Sequence, residues 1–259
     1  MRLLLIRHGQ TPSNVLGLLD TAPPGPGLTD LGVEQAAALP DSLADQRIDL
    51  IAASTQPRTQ LTAAPLAAVR GLEVLVRDGL CEVPAGDLEM RGDEHAVRTY
   101  LSTVRRWMDG ELDVAVPGGQ TGEQVVARFD AVVSELTEMV TDRAGDDGVV
   151  ALFAHGAVLR TWSTVRGADE AVRRALFERF HPLHNTGVIV MNSRPDGGCL
   201  LQSWAGRALG GPRLDDGAVD GPAGEVPGGG VAAGPDPTGG DPTGVDPTGT
   251  GLATGRAAR

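Results

Sequence analysis

Short apolar runs alternate along this chain with longer stretches in which apolar residues recur every three or four positions. Residues 2–6, 48–53, 73–76 and 148–154 are short, mostly apolar runs without regular alternation, which predicts strands buried on both faces. Residues 187–191 and 199–204 complete the predicted strand set. Thr29 is an N-cap for a helix running to Leu39, with Val33, Ala36, Ala37 and Leu39 facing inward, and Pro40 breaks or kinks it. Pro57 suits the first turn of a helix that Gly71 ends. Thr121 and Gln124 form a capping box ahead of Val125, Phe129, Val132, Leu136 and Met139, which share one stripe. Further helices are predicted at 93–108, from Ala157 to about Val165, and near 169–180. Elsewhere between Asp78 and Gly119 the periodicity weakens and the chain reads as loop.

Buried strands alternating with amphipathic helices imply an α/β fold, a mostly parallel sheet covered on both faces. The architecture is then three-layer α/β/α and doubly wound, with a small cap-like insertion at about 83–119. In such sheets ligands bind beyond the carboxyl ends of the strands.

Composition divides the chain. Residues 205–259 hold 16 of its 36 glycines and 7 of its 18 prolines, above the roughly 25–30% Gly plus Pro that marks low-complexity chain. Asp-Pro-Thr-Gly recurs there from positions 236, 241 and 246. Too few apolar residues offset the ordering entropy, so the stretch is expected to be a disordered tail behind a 1–204 globular domain. The earliest apolar run, Leu3 to Ile6, falls short of the roughly 7–15 residues of a signal-peptide core, and no stretch approaches a membrane span of about 18. Cys81 and Cys199 have neither metal-type spacing nor a disulfide framework, which suits a cytoplasmic protein. The 34 acids outweigh 22 basic residues, all of them arginine, for a net charge of −12. A chain so acidic, without a basic stripe, is a poor ligand for nucleic acid or a membrane surface.

Two histidines directly follow buried strands: Arg7-His8-Gly9 closes the first and His155-Gly156 the fourth. Glycine lets backbone approach a ligand closely. After the second strand, Ser54 and Arg58 open a helix whose N-terminus favours anions. If the strand order gathers these ends, Arg7, His8, Arg58 and His155 form a small basic pocket on an acidic protein, suited to a tetrahedral dianion.

Arg7-His8-Gly9-Gln10-Thr11 with Asn14 resembles the opening signature of the histidine phosphatase superfamily, the phosphoglycerate-mutase-like proteins. Ser54 through Arg58-Thr59-Gln60 to Thr62-Ala63 resembles that family's second arginine segment. Leu80-Cys81-Glu82 with Gly86-Asp87-Leu88-Glu89 is similar to its acidic loop, Pro117-Gly118-Gly119-Gln120-Thr121 to a recurrent turn, and Phe153-Ala154-His155-Gly156 to its second histidine segment. The resemblance implies that His8 is the nucleophile, transiently phosphorylated. It implies that Arg7, Arg58 and His155 hold the phosphoryl oxygens with Asn14 as a further donor. Glu82 would protonate the leaving alcohol. Gln10 and the backbones of Gly9 and Gly156 are lesser substrate contacts.

The chemistry is coherent. Neutral imidazole, with a reference pKa of about 6.5, is a competent nucleophile near neutrality. An acceptor, such as a backbone carbonyl, must hold its other nitrogen to fix the tautomer. Arginines beside His8 disfavour its protonation and stand where a metal would otherwise be needed. The carboxyl that protonates the alkoxide can then activate the water that attacks phosphohistidine. Asp87 and Glu89 rival Glu82 but read first as a solvated acidic loop. The expected activity is metal-independent hydrolysis of a small phosphorylated metabolite, with no cofactor and no metal site. The alternatives are a phosphoglycerate mutase, disfavoured by the absence of lysine, and a non-catalytic phospho-ligand binder. The oligomeric state is open, a dimer included.

His181-Pro182-Leu183-His184 reads as a turn rather than a metal pair, because proline prevents a helical display. His95, Arg91, Arg98, Arg105 and Arg106 read as surface of the insertion helix, Trp107 and Tyr100 as packing residues.

Overall fold

A computed structural model describes residues 1–173, 182–194 and 198–215. Its strands are β1 (Arg2–Arg7), β2 (Leu50–Ala53), β3 (Val74–Val76), β4 (Val149–Ala154), β5 (Val188–Ser193) and β6 (Cys199–Ala205). Its helices are α1 (Pro12–Val15), α2 (Asp30–Ala37), α3 (Leu39–Ser42), α4 (Pro57–Arg70), α5 (Glu94–Met108), α6 (Gly122–Ala144) and α7 (Gly156–Gly167). Short 3-10 turns occur at Asp78–Leu80, Gly86–Leu88 and Pro212–Leu214. The helix expected near 169–180 falls mostly outside the described residues, as do His181 and the tail from 216 onward.

The sheet order is β3-β2-β4-β1-β5-β6. The first four strands are parallel, and β5 and β6 add an antiparallel edge. Alternation along each strand splits the core. Leu3, Leu5, Ala52, Val150 and Leu152 pack with α5, α6 and α7, whereas Leu4, Ile6, Ile51, Ala151 and Phe153 pack with α3 and α4. Strands buried on both faces need apolar residues at every position, which is why β1 and β4 show no alternation. Among the described residues no helix is long and apolar enough to cross a membrane.

Local signals set the helix ends. Thr29, Asp93 and Thr121 accept backbone N–H groups of their own first turns, and Gln124 closes the capping box on Thr121. Gly71 ends α4 in the left-handed region, φ 64°, where a side chain would be strained. Two expectations change. The inward face of α2 is Gly32, Gln35 and Ala36, while Val33 and Ala37 are exposed. Polar docking causes the rotation: Gln10 N–H donates to Gln35 Oε1 (2.8 Å), and Gln35 Nε2 donates to the Leu214 carbonyl (2.7 Å). A Cβ on Gly32 would lie 2.2 Å from the Gln10 oxygen, so only glycine allows that approach. Ordered chain also continues past Trp204, with Ala208 and Leu214 buried, so part of the Gly/Pro-rich stretch belongs to the packed body.

Candidate active site

Strand order assembles the site. β1 and β4 are parallel neighbours with Arg7 opposite Ala154, so the next residue of each, His8 and His155, emerges at the same edge. Their ring centres are 5.2 Å apart at 61°. β2 flanks β4 on its other side, which brings Ser54 and the start of α4 against His155. Ser54 Oγ lies 2.8 Å from His155 Nε2, and Arg58 Nε donates to His155 Nδ1 at 3.2 Å.

Hydrogen bonding sets the tautomers. His8 Nδ1 is 2.7 Å from the Gly9 carbonyl. A carbonyl only accepts, so Nδ1 carries the hydrogen and the lone pair is on Nε2. A guanidinium only donates, so His155 has the opposite arrangement: Nδ1 accepts from Arg58, and Nε2–H points to Ser54 Oγ. Burial pushes the His8 pKa well below its usual value, and the charges of Arg58 and then Arg7 push it further, against the Gly9 hydrogen bond. Burial and Arg58 likewise hold His155 neutral, with smaller contributions from His8, Arg128 and Arg7.

Both arginines are buried. Arg7 Nη1 donates to the Leu183 carbonyl at 2.7 Å. Arg58 Nη2 donates to the Asp20 carbonyl at 3.1 Å, whereas its Nη1 has no hydrogen-bond partner among the described residues. A buried donor left unpaired costs stability. The 23–27 loop closes over this guanidinium because residue 25 is glycine: a Cβ there would lie 2.3 Å from Nη1.

Glu82 is also buried. Its Oε1 accepts from Val83 N (2.8 Å) and Val158 N (2.9 Å), and its Oε2 from Ala157 N (3.1 Å). The latter two are first-turn donors of α7, where a carboxylate meets the positive end of the helix dipole. A cavity of about 40 Å³ lies among Arg7, His8, Asn14, Asp20, Arg58 and Glu82. Leu18, Leu19 and Tyr100 supply apolar wall, so the α5 insertion contributes to the site through Tyr100, whose hydroxyl donates to the Val83 carbonyl at 2.8 Å.

The structure therefore gathers Arg7, His8, Asn14, Arg58 and Glu82 on one cavity wall, with His155 fully buried behind His8. Four expected contacts do not line the cavity, among them His155, whose ring nitrogens meet Ser54 and Arg58 instead. Gly9 and Gln10 do not line the cavity; Gly9 N–H donates to Thr62 Oγ1 (2.9 Å), and Gln10 Oε1 accepts from Thr29 Oγ1 (2.9 Å). Gly156 is the first residue of α7, also off the wall. Glu89 binds Thr21 through both its N–H and its hydroxyl, and the Ala22 N–H. Asp87 lies against Gly118, also off the wall. Neither rival of Glu82 lines the cavity. Arg91, Arg98 and Arg106 pair with neighbouring surface acids.

Sequence reading passed over Gln56, Asn185 and Asp20. Gln56 Oε1 accepts from Glu82 N (3.2 Å) and its Nε2 donates to the Thr21 carbonyl (3.0 Å), which ties the acid's segment to the cavity loop. Asn185 Nδ2 donates to the His8 carbonyl at 2.9 Å. Among the described residues no group of three or more His, Cys, Asp or Glu could hold a metal ion.

A neutral histidine and two buried guanidiniums thus line a cavity at the carboxyl edge of the parallel strands of an α/β protein. The chain belongs to the histidine phosphatase superfamily (branch 1), whose model matches residues 3–205. It is 34% identical over 216 residues to the PE-PGRS family protein PE_PGRS11 of Mycobacterium tuberculosis, covering 79% of this chain but 36% of that protein. It is 30% identical over 140 residues to phosphoserine phosphatase 1 of Hydrogenobacter thermophilus, covering 52% of this chain and 64% of the relative. A mycobacterial glucosyl-3-phosphoglycerate phosphatase solved with inorganic phosphate superposes with a TM-score of 0.64 at 25% identity, over 81% of this chain and 99% of the other.

Proposed function

We propose that this protein hydrolyses phosphomonoesters of small metabolites in the cytoplasm through a phosphohistidine at His8. The observation that carries the reading is the tautomer: with Nδ1–H held by the Gly9 carbonyl, the Nε2 lone pair of a cavity-lining, neutral imidazole is the available nucleophile. Names of relatives support the reaction class, since two of them are a phosphoserine phosphatase and a glucosyl-3-phosphoglycerate phosphatase.

In the first step His8 Nε2 forms a bond to phosphorus as the bond from phosphorus to the alcohol oxygen breaks. Glu82 takes up the proton that the monoanionic ester brings and gives it to that oxygen. Arg7 and Arg58 stabilise the equatorial oxygens in a site that needs no reorganisation at the moment of transfer. Arg58 Nη1, unpaired and buried, is the donor best placed to gain a partner. His155 assists through Arg58, whose Nε it anchors. In the second step Glu82 takes a proton from water, oxygen bonds to phosphorus, and the phosphorus–nitrogen bond breaks to release inorganic phosphate and restore His8.

The test uses the purified full chain with 4-nitrophenyl phosphate. Release of nitrophenolate should fall to background in His8→Ala. A rapidly quenched reaction with a radiolabelled ester should yield base-stable, acid-labile label on the wild-type protein only. Turnover that survives His8→Ala, or product formation with no labelled protein at any time, overturns the reading.

A further inference from the structure

Arg128 has no part in the chemistry above, yet most of its donors point at the segment that carries Glu82. It sits on α6, and its side chain reaches to the 3-10 turn Asp78–Leu80. Nη1 donates to the carbonyls of Gly79 and Cys81, both at 2.7 Å, and Nη2 to the carbonyl of Glu82 itself at 3.0 Å. Nε donates to Gln120 Oε1 at 3.2 Å. These four acceptors are neutral oxygens. A partly buried guanidinium held by neutral carbonyls is a costly way to stabilise a fold; a rigid planar fork is an efficient way to set the position of three carbonyls within one four-residue segment.

A second observation on the same segment is independent of those bonds. A Cβ on Gly79 would lie 2.5 Å from the Arg128 carbonyl oxygen and 2.6 Å from Val132 Cγ2. Only glycine lets the turn seat flush against α6. Glu82 is therefore suspended between two helices, its main chain fastened to α6 by Arg128 and its carboxyl oxygens fastened to the first turn of α7.

We infer that Arg128 is a positioning residue for Glu82, setting where the acid stands relative to the leaving oxygen. The inference rests on the proposed hydrolase reading. Displacement of a catalytic group by about 1 Å costs on the order of 10²-fold in rate. The loss should appear where proton donation matters. An alkyl phosphate leaves as a poorly stabilised alkoxide and needs the acid. An aryl phosphate leaves as a stabilised phenolate and scarcely does.

The experiment measures alcohol release in the first turnover for glycerol 3-phosphate and for 4-nitrophenyl phosphate, with the full chain and its variants. Arg128→Met should slow the alkyl ester by roughly 10²-fold and the aryl ester by no more than about fivefold, as expected for lost general acid catalysis. Arg128→Lys keeps the charge but loses the fork, and should shift the ratio the same way by less. In a Glu82→Gln background, Arg128→Met should add little further loss, because both changes remove one function. If Arg128→Met does not fold, the Arg128→Lys ratio decides the matter. Equal losses on both esters in a folded variant, or additive losses with Glu82→Gln, overturn the positioning role and leave the hydrolase reading standing. Wild-type protein that neither turns over nor labels at His8 overturns both.

Discussion

His8 and His155 are chemically the same side chain in opposite states, and their neighbours account for the difference. A carbonyl beside Nδ1 leaves one lone pair at Nε2, and a guanidinium beside Nδ1 leaves the other at Nδ1. Both rings stay neutral because burial and nearby arginines depress their pKa values. The unfolded chain binds these protons near pH 6.5 and the folded chain does not, so stability falls as pH drops below about 6.5 and stops responding to them below the folded values. Beyond about one unit above pH 6.5 the two groups contribute almost nothing to the pH dependence. Each can add a slope of up to about 1.4 kcal/mol per pH unit. Urea unfolding across this window should show a shallower decline for His155→Gln than for wild type; parallel curves would mean His155 is protonated in the native state. His8, His155 and Arg58 were legible because each stands beside a strand end or helix start in a local motif, and Glu82 only because its segment resembles the family's acidic loop. Gln56, Asn185 and Arg128 were not, because their partners are main-chain oxygens or N–H groups distant in sequence, which leave no local pattern.

At the level of elements, the caps behaved as local chemistry requires, and the exception was a face. Thr121 and Gln124 satisfy each other's backbone N–H groups at the start of α6. Thr121→Ala should destabilise the protein by about 1 kcal/mol, read as a shift of the urea midpoint, with KM unchanged because neither cap residue lines the cavity. A larger loss accompanied by altered KM would mean that the cap also orders the site. The face of α2 was misread because Gly32 and Gln35 carry no apolar signal. A glycine can be buried by close backbone approach and a glutamine by pairing with another segment's amide, as here with Gln10. Apolar periodicity detects neither.

For the whole molecule, the sheet carries the site and the chain past Trp204 helps to hold the sheet's flank. Leu209 packs with the α3–α4 layer, and the Leu214 carbonyl accepts from Gln35. A chain ending at Asp215 should keep the thermal midpoint and turnover of the full protein. A chain ending at Trp204 should lose at least roughly 2–5 kcal/mol, the range for deleting one buried leucine. Equal midpoints for the two truncations would show that the segment 205–215 adds nothing.

Read alone, the sequence was enough to determine which segments are strands and helices, where most begin and end, and which reactive side chains stand at the carboxyl ends of strands. These are local properties, carried by apolar period, caps and turn residues. Tertiary structure alone decided that β4 lies between β1 and β2, so that Arg58 meets His155 and His155 meets His8. It also decided the tautomers and the clamp on Glu82. The reason is that strand order and hydrogen-bond partners depend on contacts between segments far apart in the chain, and periodicity is blind to those.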